Sequence, residues 1–277
     1  MAALQQAARK SEAPLKLVAS DVRKEFSLRK GKKITAVEKM SFEVRENEMC
    51  VLLGPSGCGK STVLKIVAGL EMPTSGSMRL DGREIVAPGR ERGMVFQAYT
   101  SFPWLTVRQN VEYGLRINGM GAKERRERAE YYIDLVHLSK FRDVYPKQLS
   151  GGMKQRVAIA RTLANEPALL LMDEPFGALD AETRWHMQEF MIEILESSKI
   201  TVLMVTHDID EALFLADHIV FMSTHPGTKR EDLWTDFKNG VRIRDKEEIL
   251  GMDGYRDMET KILRMMREES LLKKQLA

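Results

Sequence analysis

The first third of the chain alternates between apolar and polar positions, which is the pattern of half-buried β-strands. The segment MSFEV at residues 40–44 shows this alternation. Farther on, Asp81-Gly82 separates two strand-like segments at 78–80 and 84–86, and this dipeptide favours a tight hairpin turn. Residues 15 to about 85 are therefore predicted to form antiparallel sheet.

Four short runs are apolar without interruption, at residues 50–53, 169–172, 202–205 and 219–222. Such runs are typical of parallel strands that are buried on both faces. Three of them lead directly into residues capable of chemistry: a glycine-rich loop, Asp173-Glu174, and Thr206-His207-Asp208. Because ligands of open α/β sheets bind beyond the carboxyl ends of the strands, these residues are predicted to share one site.

Between about residues 105 and 164 the pattern becomes helical. Ala129, Ile133 and Val136 fall on one face of a helix, and the charged residues 123–128 form a solvated stretch. A second helix is predicted from Met153 to Ala164, where the sequence Asn-Glu-Pro ends it. This region is interpreted as a helical subdomain, at about residues 100–164, inserted into the α/β core.

The pattern thus predicts an α/β protein with a parallel-sheet core, an antiparallel β subdomain and an inserted helical subdomain. Residues 1–14 are polar and alanine-rich, and we expect them to be frayed. Residues 15–227 form the main domain. Residues 228–277 form a charged extension with an amphipathic helix from about Met258 to Leu276.

Composition narrows the class of protein. With 43% hydrophobic and 30% charged residues the chain reads as an ordinary globular protein, and its net charge of +3 is too small to indicate a nucleic-acid partner. Cys50 and Cys58 lie near no histidine pattern, so they suggest neither a disulfide framework nor a zinc site, and a reducing cytosol fits best. We see no secretory signal and no run of eighteen apolar residues. If the protein acts at a membrane, we expect it to sit on a partner.

The glycine-rich loop GPSGCGKS matches the phosphate-binding pattern G-x-x-x-x-G-K-[ST], and it lies between a predicted strand and a predicted helix. Its glycines let backbone N–H groups converge on phosphate oxygens, and the helix start adds positive potential. The lysine would reach the β- and γ-phosphates, and the serine hydroxyl would ligate Mg²⁺. The candidate nucleotide-binding residues are Gly54, Pro55, Ser56, Gly57, Cys58, Gly59, Lys60, Ser61 and Thr62.

An acidic pair at the end of a buried strand supplies the other half of the predicted metal site. Asp173 would hold Mg²⁺ through water, and Glu174 is assigned as the base that polarises the attacking water. The alternative is that the two carboxylates merely end a strand.

Three single residues complete the candidate site. Gln97 follows a strand-like segment and would sense the metal or the water, although a lone glutamine is usually a surface residue. His207 follows a parallel strand, where its imidazole would contact the γ-phosphate; a structural histidine is the alternative. Asp180 is a candidate cap of the next helix.

The order of these motifs is specific when they are taken together. GPSGCGKS, Gln97, LSGGM at 149–153, LLLMDEP at 169–175, ALD at 178–180 and His207 resemble the ATPase subunit of ATP-binding cassette (ABC) transporters. The resemblance covers residues 15 to about 225. It implies ATP and Mg²⁺ as cofactors, with ATP hydrolysis as the reaction.

The resemblance also implies roles that the residues alone do not define. Phe26 stands where the family stacks an aromatic ring on adenine, and Gln97 where it couples the site to the membrane subunit. Ser150, Gly151 and Gly152 correspond to residues that bind the γ-phosphate held by the other subunit. Met153 departs from the usual glutamine, which puts the strength of that contact in doubt.

Segments 101–107 and 222–227 resemble the nitrate, taurine, sulfonate and bicarbonate importer group. This resemblance implies a second ATPase subunit, identical or paralogous, together with membrane permease subunits and, indirectly, a solute-binding protein. It places the chain peripherally at the cytoplasmic face of the inner membrane. Trp104 is either a core residue or a permease-facing one, and the transported solute is not readable.

Two rival classes remain. A soluble cassette ATPase of DNA repair or translation usually carries tandem cassettes or long coiled coils, and this chain has one cassette and no sustained heptads. A binding module that uses ATP only as a dimer switch would not need Asp173, Glu174 and His207 together.

Overall fold

The computed structural model describes residues 13–27, 32–98, 100–224 and 226–276, so most of the predicted frayed N-terminus lies outside the described residues. The strands are β1 Leu15–Ser27, β2 Lys33–Arg45, β3 Met49–Leu53, β4 Ser75–Leu80, β5 Arg83–Glu84, β6 Arg92–Val95, β7 Leu169–Asp173, β8 Thr201–Thr206, β9 His218–Met222 and β10 Lys229–Trp234. The α-helices are α1 Lys60–Val67, α2 Val107–Ile117, α3 Ala122–Leu135, α4 Gly151–Leu163, α5 Ala181–Ser198, α6 Ile209–Leu215, α7 Lys246–Leu250 and α8 Tyr255–Leu276.

The chain divides into two compact units, one made of Met1–Gly89 with Met191–Ala277 and the other of Arg90–Phe190. In the first unit, β1, β2, β4 and β5 form an antiparallel sheet in the order β2-β1-β4-β5. Asp81 and Gly82 join β4 to β5 with φ angles of 49° and 73°. Positive φ at both positions is the geometry of a type I′ turn, and the predicted hairpin is confirmed.

The first unit also contains the parallel strands. β3 lies between β8 and β9 and is parallel to both, while β10 pairs antiparallel with β9. Every residue of β3, β8 and β9 is buried, as expected for strands whose two faces are both covered. The apolar runs therefore predicted these strands correctly.

In the second unit, β6 and β7 pair in parallel, and α2, α3 and α4 surround an apolar interior that includes Val111, Ala129 and Ile133. Helix α4 begins at Gly151, two residues before the predicted Met153, because Ser150 caps it. Helix α2 begins with a capping box between Thr106 and Gln109.

The C-terminal helix α8 starts at Tyr255, three residues before the predicted Met258. One face carries the buried residues Tyr255, Ile262, Met265 and Glu269, so the predicted amphipathic helix is confirmed. Within the described part of the chain, none of the helices combines the length and apolarity that a membrane crossing requires.

Candidate functional site

The phosphate loop connects β3 to α1 in the first unit. Gly59 immediately precedes α1 with φ of 94°, a conformation that residues with a side chain rarely adopt. A Cβ on Gly59 would also lie 2.8 Å from the carbonyl oxygen of Ala36 in β2. The loop therefore turns tightly against β2, and the first turn of α1 presents Ser61 and Thr62, both half-buried.

Lys60 is held inside the loop. Its side chain is buried, and Nζ donates hydrogen bonds to the carbonyl oxygens of Gly54 at 2.7 Å and Pro55 at 3.1 Å. The Cys58 thiol is fully buried 3.8 Å from the same nitrogen. Burial raises the pKa of Cys58, and the neighbouring ammonium opposes this shift. The cation is thus positioned where the loop would receive phosphate, with Ser56 and Gly57 exposed at the tip.

Phe26 lies near the end of β1 and pairs with Ile34 in β2. Its ring is half-buried, and Lys24 Nζ lies 4.9 Å from the ring centroid. Two positions along β2 from Ile34 is Ala36, which contacts the loop at Gly59. The strand register therefore brings Phe26 to the part of β2 that borders the phosphate loop.

His207 follows β8, and its placement results from strand register. Leu53, which precedes the loop, pairs in parallel with Thr206, so Gly54 and His207 leave neighbouring strands at the same edge. His207 is exposed, and Asp208 behind it caps α6 by accepting a hydrogen bond from the Glu211 backbone at 3.0 Å. The first unit therefore brings the phosphate loop and His207 together.

The acidic pair and Gln97 come together in the second unit. β7 ends at Asp173, and Glu174 adopts φ of 43° in the turn that follows. Val95 of β6 pairs with Met172 of β7, which places Gln97 beside this turn. The Gln97 Nε2 atom lies 3.2 Å from the position that a Cβ on Gly177 would take, and Gly177 donates its N–H to the Glu174 carbonyl.

The start of α4 is capped and closely packed. Ser150 Oγ accepts the N–H of Met153 at 3.3 Å, and Gly152 is buried. A Cβ on Gly152 would lie 2.8 Å from Cγ2 of Thr183, in the first turn of α5. Close packing therefore requires glycine at this position of the LSGG segment.

Asp180 accepts the N–H of Thr183 at 2.9 Å and so caps α5, as predicted. This hydrogen bond holds the pKa of Asp180 below its usual value. Asp180 and the LSGG segment thus meet through Thr183. Thr183 could not be predicted from the sequence, because its role comes from packing between two helices.

Arg161 is a second residue that sequence reasoning missed. Its guanidinium donates to the carbonyl oxygen of Thr100 at 2.7 Å and to Thr100 Oγ1 at 2.5 Å, and it lies 5.4 Å from the Phe102 ring centroid. Burial lowers its pKa. Arg161 fixes the segment that follows Gln97, a role that a lone arginine in a helical pattern does not reveal.

A buried strand, a glycine loop and a following helix whose first residue, Lys60, turns its side chain into the loop define a P-loop nucleoside triphosphatase. Residues 37–177 match the ABC transporter family. The chain belongs to this family and is an ATP-binding subunit with ATPase activity.

Two relatives and one solved structure illustrate the similarity. The nitrate import ATP-binding protein NrtD of Synechocystis sp. is 48% identical over 77% of this chain and 80% of its own length. The aliphatic sulfonates import ATP-binding protein SsuB of Bacillus thuringiensis subsp. konkukian is 45% identical over 75% of this chain and 81% of its own length. A dimeric ATP-binding cassette in a post-hydrolysis state, bound to ADP and Pi, superposes with a TM-score of 0.68. It is 31% identical and covers 79% of this chain and 98% of that chain. The predicted family, fold class and ATPase activity are confirmed.

Proposed function

We propose that this chain powers the import of a small anion by hydrolysing ATP in a head-to-tail dimer. The observation that carries the dimer is the presence of two helix starts suited to phosphate, one at α1 and one at α4. In the proposed dimer the α4 start binds the ATP held by the α1 loop of the partner subunit. The names of the two relatives, nitrate and aliphatic sulfonates import, support a small anion as the solute.

Mg²⁺ is the proposed second cofactor. The Ser61 hydroxyl, the Asp173 carboxylate and the Gln97 amide carbonyl are hard oxygen donors, the type that Mg²⁺ prefers. These residues would hold the ion, which when bound would neutralise charge on the phosphate oxygens.

The reaction steps belong to residues of this chain. Lys60 binds the phosphates, and Glu174 orients the attacking water and accepts its proton. His207 contacts the γ-phosphate from the end of β8. Ser150, Gly151 and Gly152 close the partner's site, while Phe26 stacks on the adenine and Asp180 holds the start of α5 beside the LSGG segment.

A groove in the second unit is the proposed docking place of the permease. It has a volume of about 480 Å³ and is lined by apolar side chains together with arginines: Phe96, Phe102, Tyr113, Ile117, Arg90 and Arg161. Trp104 lies beside Phe102, with ring centroids 5.6 Å apart, and is 70% exposed. Docking here would hold the chain peripherally at the cytoplasmic face of the inner membrane, with the solute-binding protein acting indirectly through the permease.

The chemical part of the proposal is tested by Glu174→Gln, which removes the base and keeps the shape of the side chain. We expect ATP binding to be retained and turnover to fall by about 10² to 10⁴, the usual contribution of a positioned base. In the presence of ATP this variant should then accumulate as a stable dimer, which size exclusion with light scattering would detect. Glu182→Gln, an exposed change in the first turn of α5, is the matched control. Turnover near that of the wild type in Glu174→Gln would remove Glu174 from this role.

A further inference from the structure

The phosphate loop rests on a segment that lies far away in sequence. We call residues 222–224 and 226–228 the support segment. A Cβ on Gly54 would lie 2.6 Å from the carbonyl oxygen of Met222, and a Cβ on Gly227 would lie 1.9 Å from that of Cys58. The support segment therefore contacts the phosphate loop at Gly54, the first residue of the loop, and again at Cys58. Both contacts are too close for Gly54 or Gly227 to carry a side chain.

The support segment is also bonded to β2 and to itself. The Gly227 N–H donates to Ala36 at 3.1 Å, and the Gly227 carbonyl accepts from Glu38 at 2.9 Å. Ser223 and Thr228 are joined by a backbone hydrogen bond of 2.9 Å and by their hydroxyls at 2.6 Å. Thr224 lies between Ser223 and Thr228, the two residues that these hydrogen bonds join. A group that fixes Thr224 therefore also fixes the support segment, on which the phosphate loop packs.

Glu269 of α8 is that group. Its side chain is only 3% exposed, and Oε2 accepts the Thr224 N–H at 2.9 Å and the Thr224 hydroxyl at 3.3 Å. The other oxygen accepts from Arg230 Nη1 at 2.9 Å. Because a buried carboxylate is costly unless it is paired and hydrogen-bonded, these contacts fix both Glu269 and the backbone of Thr224.

We propose that Glu269 is a positioning residue of the ATP site, through which the C-terminal helix α8 sets the phosphate loop in its binding conformation. The contacts run from Glu269 to Thr224, then through Met222 and Gly227 to Gly54 and Cys58. The inference concerns ATP binding alone and does not depend on the dimer, the permease or the transported solute.

Removing the carboxylate leaves the Thr224 N–H and Arg230 without this buried partner, so the support segment should relax. The loop N–H groups would then be less well aligned for phosphate. Because the effect falls on preorganisation of the loop, we expect ATP binding to suffer more than turnover at saturating ATP.

The test compares Glu269→Ala, Glu269→Gln and Glu268→Gln in the full chain. Glu268 is the matched control, since it is the adjacent residue, pairs with the same Arg230 and is exposed. Calorimetric titration with ATP should show about tenfold weaker binding for Glu269→Ala, within the usual range of coupling between sites. The ATP affinity of Glu269→Gln should lie between those of Glu269→Ala and the wild type, because its amide oxygen can still accept a hydrogen bond from Thr224. Glu268→Gln should bind as the wild type does, and kcat should change by less than about twofold in all three, well below that binding effect.

Hydrogen exchange separates positioning from general destabilisation. In Glu269→Ala, exchange should accelerate in peptides covering residues 54–62 and 222–228 and stay unchanged in β1 and β8. Wild-type ATP affinity in folded Glu269→Ala, or an equal loss in Glu268→Gln, would overturn the proposal. If Glu269→Ala does not fold, the comparison of Glu269→Gln with Glu268→Gln is the test. Equal ATP affinities of these two variants would contradict the proposal.

Discussion

Phe26 can be changed with little disturbance to the fold, because its ring is only half-buried near the end of β1. Phe26→Ala should weaken ATP binding by about 1 kcal/mol, the typical value of an aromatic stacking contact. The maximal rate at saturating ATP should change little. Equilibrium titration with ATP, beside a full rate curve, measures both quantities.

Two variants control this prediction. Phe26→Tyr keeps an aromatic ring and should bind ATP nearly as well as the wild type. Ile34→Ala removes the exposed cross-strand partner of Phe26 and reports any effect of loosening the strand pair itself. Unchanged affinity in Phe26→Ala would mean that the adenine stacks elsewhere.

Single residues also show where sequence reasoning stops. The phosphate loop could be predicted, because its pattern is local and the neighbouring strand and helix are local as well. The orientation of the Cys58 side chain could not be predicted in this way. Its thiol is fully buried with a raised pKa, and Leu149 before the LSGG segment is 5% exposed. A disulfide between Cys58 and a cysteine introduced at 149 is therefore a poor probe of the proposed dimer, since both side chains point inward.

Residues 100–106, which precede α2, carry part of the proposed docking surface. Asn110, fully buried, accepts the Phe102 N–H at 2.8 Å and donates to the carbonyl oxygens of Phe102 and Leu105. Arg161 holds Thr100 from α4. These hydrogen bonds fix the segment from which Trp104 projects into solvent. Because its side chain is exposed, Trp104 is not a core residue.

Trp104→Ala should reduce stimulation of ATPase activity by the permease more than basal hydrolysis. Because Trp104 is 70% exposed, its removal should change stability by less than about 0.5 kcal/mol. ATPase rates of the purified chain and of the permease complex provide the measurement. Tyr131→Ala, which removes another exposed aromatic ring, on α3, is the control. A proportional loss of both rates would contradict the proposed docking role of Trp104.

Periodicity predicted the elements better than it predicted the contacts between them. It identified the buried strands, the hairpin at Asp81-Gly82 and the amphipathic α8, because each of these depends on a local pattern. It did not identify Asn110, Thr183 or Glu269. Glu269 contacts Thr224 across 45 positions of sequence, and a glutamate in a charged helical stretch otherwise looks like a solvated residue.

The features that the proposed site needs for binding phosphate are divided between the two units of the molecule. The phosphate loop and His207 belong to the first unit, and Gln97, the acidic pair and the LSGG segment belong to the second. In the proposed dimer each ATP is held by the loop of one subunit and closed by the LSGG segment of the other. Which subunit supplies each part can be tested with variants that inactivate one part at a time.

Lys60→Ala removes the buried cation of the loop, and Ser150→Arg fills the start of α4 with a bulky side chain. Each variant alone should lose most ATPase activity, because losing an electrostatic contact to the reacting phosphate costs about 10² to 10³ in rate. When the two are mixed and allowed to exchange subunits, a head-to-tail dimer contains one site with neither change. Activity should therefore reappear and follow the fraction of mixed dimers. The control mixes wild type with the Lys60→Ala, Ser150→Arg double variant, whose mixed dimers then contain no intact site. In the control, activity should follow the fraction of wild-type homodimers alone. If it instead follows the fraction of wild-type chain, and activity fails to reappear in the first mixture, the loop and the LSGG segment act within one chain, and the head-to-tail geometry is wrong.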